Sequence, residues 1–207
     1  MHTIRYVFMS TRDKILQESF NLFLQRNYKE VSLKDIVEKV GLTKGAFYHH
    51  FKSKEQLFIE VLDEFILNRI SDIYDTIPKN SLKLFIMTYL DRIISYIDKY
   101  KHNTDSIHGQ RGFSLYHMFF DALRILPEFE IQMQQMHLKE REAWIKVIAN
   151  ARKSNEIKSH LSDVQLARLF ISINDGISSS LVLENRLDDI PGEIYTHWMG
   201  FYNLIKY

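Results

Sequence analysis

No cysteine occurs in this chain of 207 residues, and glycine and proline are scarce at 7 and 3. The first absence removes disulfides, thiolate metal sites and a cysteine nucleophile, and it makes a reducing, cytoplasmic location the expected one. The second leaves too few turn residues for the many tight reversals of an all-β protein. Long apolar runs are also missing. No stretch approaches the roughly 18 residues of a membrane span, and the opening MHTIRYVFMS lacks the apolar segment and cleavage site of a signal peptide, so no membrane partner is expected. Nor does the chain contain H-E-x-x-H, a G-x-S-x-G elbow or a phosphate-cradling glycine loop. No catalytic set, metal or cofactor is expected.

What is present is an ordinary globular mixture, 45% hydrophobic and 26% charged, long enough to bury a sizeable core. The net charge of +1 is unevenly spread: residues 1 to 55 hold 10 Lys or Arg against 6 Asp or Glu, whereas the remainder holds 17 against 20. The basic end is the N-terminal one, which hints at a polyanionic partner there.

Apolar residues recur mostly at helical spacing, and the chain reads as all-α, with about nine helices. Ser10 with Asp13 caps a first helix that buries Ile15, Leu16, Phe20, Phe23 and Leu24 and ends near Arg26, with Asn27 able to take up the left-handed backbone that closes many helices. Ser32 with Asp35 caps a second, running to about Val40. Gly41 and Leu42 make the turn, Thr43 caps a short third helix ending near Phe51, and Ser53 with Gln56 caps a fourth that continues to about Ile77, before Pro78. Further helices are expected at roughly 81–101, 112–125, 128–153, 163–185 and 191–206. No flexible linker follows Phe51, so the fourth helix is expected to join the two halves rigidly.

Two short helices joined by a Gly-containing turn and braced by a preceding helix form a helix-turn-helix, whose second short helix enters the DNA major groove. At about 100° per residue, Phe47 and Phe51 fall on one side of the third helix and point inward. Gly45, Ala46 and His49 then face outward, with Lys44 and Tyr48 on one flank and Thr43 and His50 on the other. Nine residues span about 13 Å, a fit to a groove about 12 Å wide, and the small Gly45 and Ala46 permit close approach. Lys44 suits guanine O6 or N7, His49 a base edge, and Tyr48, His50 and Lys54 phosphates. Adjacent helical residues diverge by about 100°, so His49 and His50 are not expected to share a metal.

The stretch from Thr11 to Leu57, above all VSLKDIVEKVGLTKGAFYHHFKSKEQL, resembles the DNA-binding domain of the TetR/AcrR family of transcriptional regulators, through Tyr28, Gly41, Leu42, Thr43, Tyr48, His50, Phe51, Lys54 and Glu55. The resemblance implies a dimeric repressor in which Ser32 and Lys34 touch the DNA backbone, Thr43, Lys44, Gly45, Tyr48, His49 and His50 lie at the groove, and Lys54 holds a phosphate. Asn27 stands where the family usually has glycine, and Leu33 stands near where some members use a hydroxyl on DNA. The expected division is residues 1–55 for DNA binding, of which 1–9 form a loose extension, and 56–207 for ligand binding and dimerisation.

The larger half is rich in aromatic residues and methionine, most of which must be core. A bundle lined this way can also hold an apolar ligand with a few polar anchors, and the candidate contacts are Phe85, Tyr89, Tyr96, Phe113, Tyr116, His117, Phe120, Asp121, Met133, Met136, Trp144 and Asp175. The resemblance implies an inducer pocket here, and a homodimer formed through 166–185 and 191–206, which demands a roughly palindromic operator. The expected function is thus a repressor released from DNA by a small apolar or amphipathic molecule. The rival from another class is an all-helical enzyme or ligand carrier whose N-terminal helices serve only for packing or protein contact.

Overall fold

The computed structural model describes residues 10–103 and 111–207, the side chains at 69–72, 98–103 and 111–115 excepted. The expected extension at 1–9 and the side chain of Phe113 therefore lie outside the described residues. Among the described residues there are ten α-helices and no strand. They are α1 (Thr11–Gln25), α2 (Leu33–Val40), α3 (Lys44–Tyr48), α4 (Lys54–Leu62), α5 (Asn68–Thr76), α6 (Leu82–Asn103), α7 (Arg111–Ile125), α8 (Pro127–Lys153), α9 (Asp163–Leu183) and α10 (Ile190–Ile205). The expected fourth helix is α4 and α5 run together through a π-helical turn at Asp63–Leu67, which the periodicity does not reveal.

Contacts divide the chain into two compact units, the first ending at Asn68 and the second beginning at Arg69. The packing of the first unit thus runs past residue 55. Phe58, Val61, Leu62 and Ile66 are buried in it, and Phe65 stacks on Phe20 with ring centroids 4.5 Å apart. Each early helix is started by a side chain. Ser10 and Ser32 both form complete capping boxes with the aspartate three residues on, and Thr43 and Ser53 accept from Ala46 N and Gln56 N. Such a cap satisfies one of the orphan N–H groups of a helix start and contributes about 1 kcal/mol.

Asn27 behaves otherwise than expected. The cap after α1 is Arg26 in extended backbone, and Asn27 does not have a positive φ. Its Oδ1 and its carbonyl both accept from Glu30 N, at 3.0 Å each, so the side chain folds the loop into a turn without the left-handed conformation. Left-handed asparagines do occur, at Asn155 and Asn185, just beyond α8 and α9.

In the second unit an aromatic cluster forms the centre. Trp144 stacks on Phe170 at 4.9 Å and meets Phe85 and Trp198 edge-on at 4.7 and 4.9 Å, while Trp198 Nε1 donates to the Phe170 carbonyl at 2.8 Å. The C-terminus is pinned by Lys158 N and Tyr207 N, which donate to Ile205 O and Glu156 O at 2.7 and 3.0 Å. Glu156 also accepts from Leu82 N and Lys83 N, so one carboxylate caps the start of α6. By length and composition α9 reaches what a membrane span requires, contrary to the reading of the sequence. One face of it, Leu166, Ala167, Phe170, Leu181 and Val182, is buried in this core.

Gly41 occupies left-handed backbone at φ +77°, and Leu42 N closes the end of α2 by donating to Val37 O at 2.8 Å. Alanine there has room but the wrong backbone preference. Gly41→Ala is expected to lower unfolding free energy by about 1 kcal/mol, measurable by urea titration.

Candidate nucleic-acid interface and ligand cavity

The turn from Gly41 to Thr43 aims α3 away from α2, and two rings fix its rotation. Phe47 is fully buried and Phe51 is 1% exposed, their centroids 5.7 Å apart, so the side they define is closed to solvent. Thr43, Lys44 and Gly45 are exposed on the other side, with Ala46 half-buried. Tyr48 is 56% exposed and stands edge-on to Phe47 at 5.5 Å, so its ring is braced on one side and open to solvent. The α-helix stops at Tyr48, short of the expected Phe51. His49 caps it, exposed, and His50 follows in the turn, half-buried, with its N–H donating to Phe47 O at 2.9 Å. A Cβ on Gly45 would meet only Thr43 Oγ1, at 3.8 Å, so the missing side chain answers no internal crowding.

Three of the expected DNA contacts have other partners. Lys54 Nζ donates to the carbonyls of Tyr28 and Val31 at 2.7 and 2.8 Å and sits 4.0 Å from the centroid of the Tyr28 ring. Desolvation there pulls its ammonium below the usual lysine range. Lys54 thus ties the loop before α2 to the start of α4. The Ser32 hydroxyl donates to Asp35 Oδ2 at 2.6 Å while accepting from Asp35 N, so it is spent on the cap. This same cap holds the Asp35 carboxyl below the ordinary aspartate range. Lys34 is exposed, 3.7 Å from Glu38 one turn on. Lys39, Lys44 and Lys52 are exposed in the same unit.

A cavity of about 740 Å³ lies in the second unit. Of the expected ligand residues it brings together Tyr89, Tyr96, Tyr116, Phe120, Met133, Met136 and Asp175. Four others do not line it. Phe85 and Trp144 are fully buried in the aromatic core, in edge-on contact at 4.7 Å. His117 is half-buried elsewhere on α7, and Asp121 is buried 3.7 Å from Arg124.

Reading the sequence missed the polar end of this cavity. Tyr74 donates to Glu140 Oε1 at 2.5 Å, and Tyr74 also hydrogen-bonds Tyr89. Burial, with a contribution from Asp175, pushes the Glu140 carboxyl up to about 7 despite the Tyr74 bond and Arg141, which act the other way. Desolvation raises Asp175 as well. Arg92, His137, Asn174, Ser178 and Ser179 complete the polar lining, and Tyr116 Oη lies 3.3 Å from Ser179 Oγ. Glu140 sits in the run LKEREAWIK, which by sequence is indistinguishable from a solvated helix face.

Comparison with known proteins places this geometry. Residues 15–61 match the family of bacterial regulatory proteins, tetR family. Among curated relatives, the HTH-type transcriptional repressor KstR2 of Mycolicibacterium smegmatis is 28% identical over 167 residues, covering 78% of this chain and 74% of its own. The HTH-type transcriptional regulator QacR of Staphylococcus aureus is 40% identical over 55 residues, 27% of this chain and 29% of its own. A TetR transcription regulator from Haloarcula marismortui shares the fold at TM-score 0.71 and 15% identity, over 95% of this chain and 98% of its own.

Two substitutions test the roles assigned by contact. Lys54→Met, which leaves two carbonyls without their donor, is expected to cost about 1–3 kcal/mol of stability, whereas Lys44→Met should change it by less than about 0.5 kcal/mol. Glu140 binds its proton more tightly folded than unfolded. Its contribution is therefore fully present below the ordinary value of 4.5 and lost as pH rises through about 7. Denaturant titrations across that window should show wild type losing up to about 3 kcal/mol relative to Glu140→Gln.

Proposed function

We propose, for a chain that belongs to the TetR/AcrR family of DNA-binding transcriptional regulators, that it acts as a homodimeric repressor of a palindromic operator and is released by a small apolar or amphipathic molecule. The observation that carries the DNA part is the exposed face of α3, held in register by Phe47 and Phe51. Lys44 donates to a guanine edge, His49 reaches a base, and Tyr48, His50 and Lys34 hold phosphates. Gly45 lets the backbone approach the groove floor, and Thr43 contacts DNA beside it. Ser32 and Lys54 act indirectly, by fixing α2 and the loop before it. In functional terms the division at 1–55 and 56–207 separates reading from sensing.

Dimerisation through 166–185 and 191–206 is supported by apolar side chains left in solvent on those two helices. Leu183 and Leu204 are 77% and 83% exposed, with Leu169 and Tyr195 about half so. Two copies of α3 then meet two half-sites, as a two-fold axis requires. The cavity holds the effector, which releases DNA by binding more tightly to the dimer whose α3 helices are wrongly spaced. A coupling of about 1–3 kcal/mol gives a 5- to 150-fold change in DNA affinity.

Binding to a palindrome from the gene's own upstream region, followed by fluorescence anisotropy, tests this reading. With roughly four phosphates neutralised, affinity should fall about a hundredfold for a fourfold rise in salt. Lys44→Ala and Tyr48→Ala should each weaken it by about 1–3 kcal/mol. Gly45→Ala should weaken DNA binding without loss of stability, since alanine favours the helix and meets nothing inside. Normal operator binding by all three variants would refute the assignment of α3 as the reading helix.

A further inference from the structure

The cavity in the second unit is not evenly apolar, and its unevenness selects a ligand charge. Five helices contribute to it, from α5 to α9. Most of the wall is soft and hydrophobic, supplied by Ile93, Phe119, Phe129, Met133 and Met136 among others. Such a wall fits flat or alicyclic bodies by dispersion and sulfur–aromatic contact. Against it stand two carboxylates, Glu140 from α8 and Asp175 from α9.

Glu140 has one oxygen occupied by the Tyr74 hydroxyl, and its second oxygen has no donor among the described residues. Burial of this half-buried side chain disfavours its charge, and a ligand that brings a positive donor relieves that penalty. Asp175 takes only the neighbouring Asn174 amide, at 3.3 Å. The two carboxylates also repel one another, which a hydroxyl on a ligand does not correct and a positive charge does.

We propose that the cavity takes an apolar, aromatic-compatible molecule bearing one cationic amine, seated with its ammonium between Glu140 and Asp175. This rests on the reading of the cavity as the effector site and adds the chemical class of the effector. Tyr89, Tyr96 and Tyr116 are on the same lining, and aromatic rings near a cation favour it further. Positive groups facing the site do not reverse the preference. Arg92 on α6, His137 on α8 and Arg141, which also acts on Glu140, are exposed, as is Asp175, so water screens these four alike and the half-buried Glu140 is the charge that the cavity shelters. Because burial pushes the Glu140 carboxyl up to about 7, an arriving ammonium displaces its proton.

The test uses the full-length protein and three fluorescent probes of matched shape: 9-anthracenemethylamine, 9-anthracenemethanol and 9-anthracenecarboxylate. The amine should bind on the order of tenfold more tightly than the alcohol, and the carboxylate most weakly. Calorimetry at pH 7 in buffers of different ionisation enthalpy should show proton release with the amine and none with the alcohol. Glu140→Gln should lower the amine-to-alcohol affinity ratio about tenfold, and Asp175→Asn serves the same purpose if that variant does not fold. Equal binding of the three probes, or preference for the carboxylate, would overturn the proposed charge while leaving the cavity as the effector site. If none of the probes binds, the effector-site reading falls and this proposal with it. Amine binding that leaves operator affinity unchanged supports the ligand class and removes the link to DNA release.

Discussion

The burial of Phe47 and Phe51 fixes the rotation of α3, and nearly everything the first unit can do follows from it. Phe47 lies within α3 and Phe51 just beyond it, where Phe51 N donates to Phe47 O at 3.1 Å, so the short helix is anchored from within and from the turn that follows. With five helical residues there is no length over which an error in rotation could be averaged out. The outward set is whatever remains once those two rings are inside. The lysines at 14 and 54 extend the same logic to the rest of the unit. Lys14 Nζ donates to the Val40 carbonyl at 3.1 Å, joining α1 to the end of α2, and Lys54 joins α4 to the loop before α2. In both cases a cation occupies carbonyls that lie outside regular hydrogen bonding, which a neutral apolar residue could not do.

Much of this was legible in the sequence because it is written in short-range chemistry. The four N-caps, the turn at Gly41 and the inward phenylalanines all depend on spacings of three or four residues, and those spacings survive folding. Asn27 was misread because one residue type serves two turn geometries, and only the backbone decides between a left-handed cap and a side-chain-closed turn. The partners of Lys54 and Ser32 were illegible for a related reason: polarity alone says nothing of the groups that engage them in the loop before α2 and within the cap itself.

The cavity was less legible. Aromatic residues at helical spacing fit a core and a cavity wall equally well, and the sequence gives no volume. Phe85 and Trp144 went to the core, where they meet edge-on, while Tyr89 and Tyr96, on the same helix as Phe85, reached the lining. The polar end is assembled from positions 74, 140 and 175, on three helices separated by long stretches of chain. Nothing local distinguishes Glu140 from the other acids of α8. Its altered proton affinity is a property of the assembled unit alone.

The π turn at Asp63–Leu67 gives the first unit a further property, one that concerns chain length. A π turn is an α-helix accommodating one residue more than its hydrogen-bond ladder needs. Removing any single codon within this stretch could restore an unbroken ladder from Lys54 to Thr76 without creating a gap. Five residues at the wider π pitch turn about as far as four at α pitch, so the later side chains on that helix would keep their direction. Two homologues differing by one residue there would be out of step in an alignment and still present the same faces along the helix. The stretch can therefore absorb a change of length that elsewhere in a helix would swing every later side chain by about 100°.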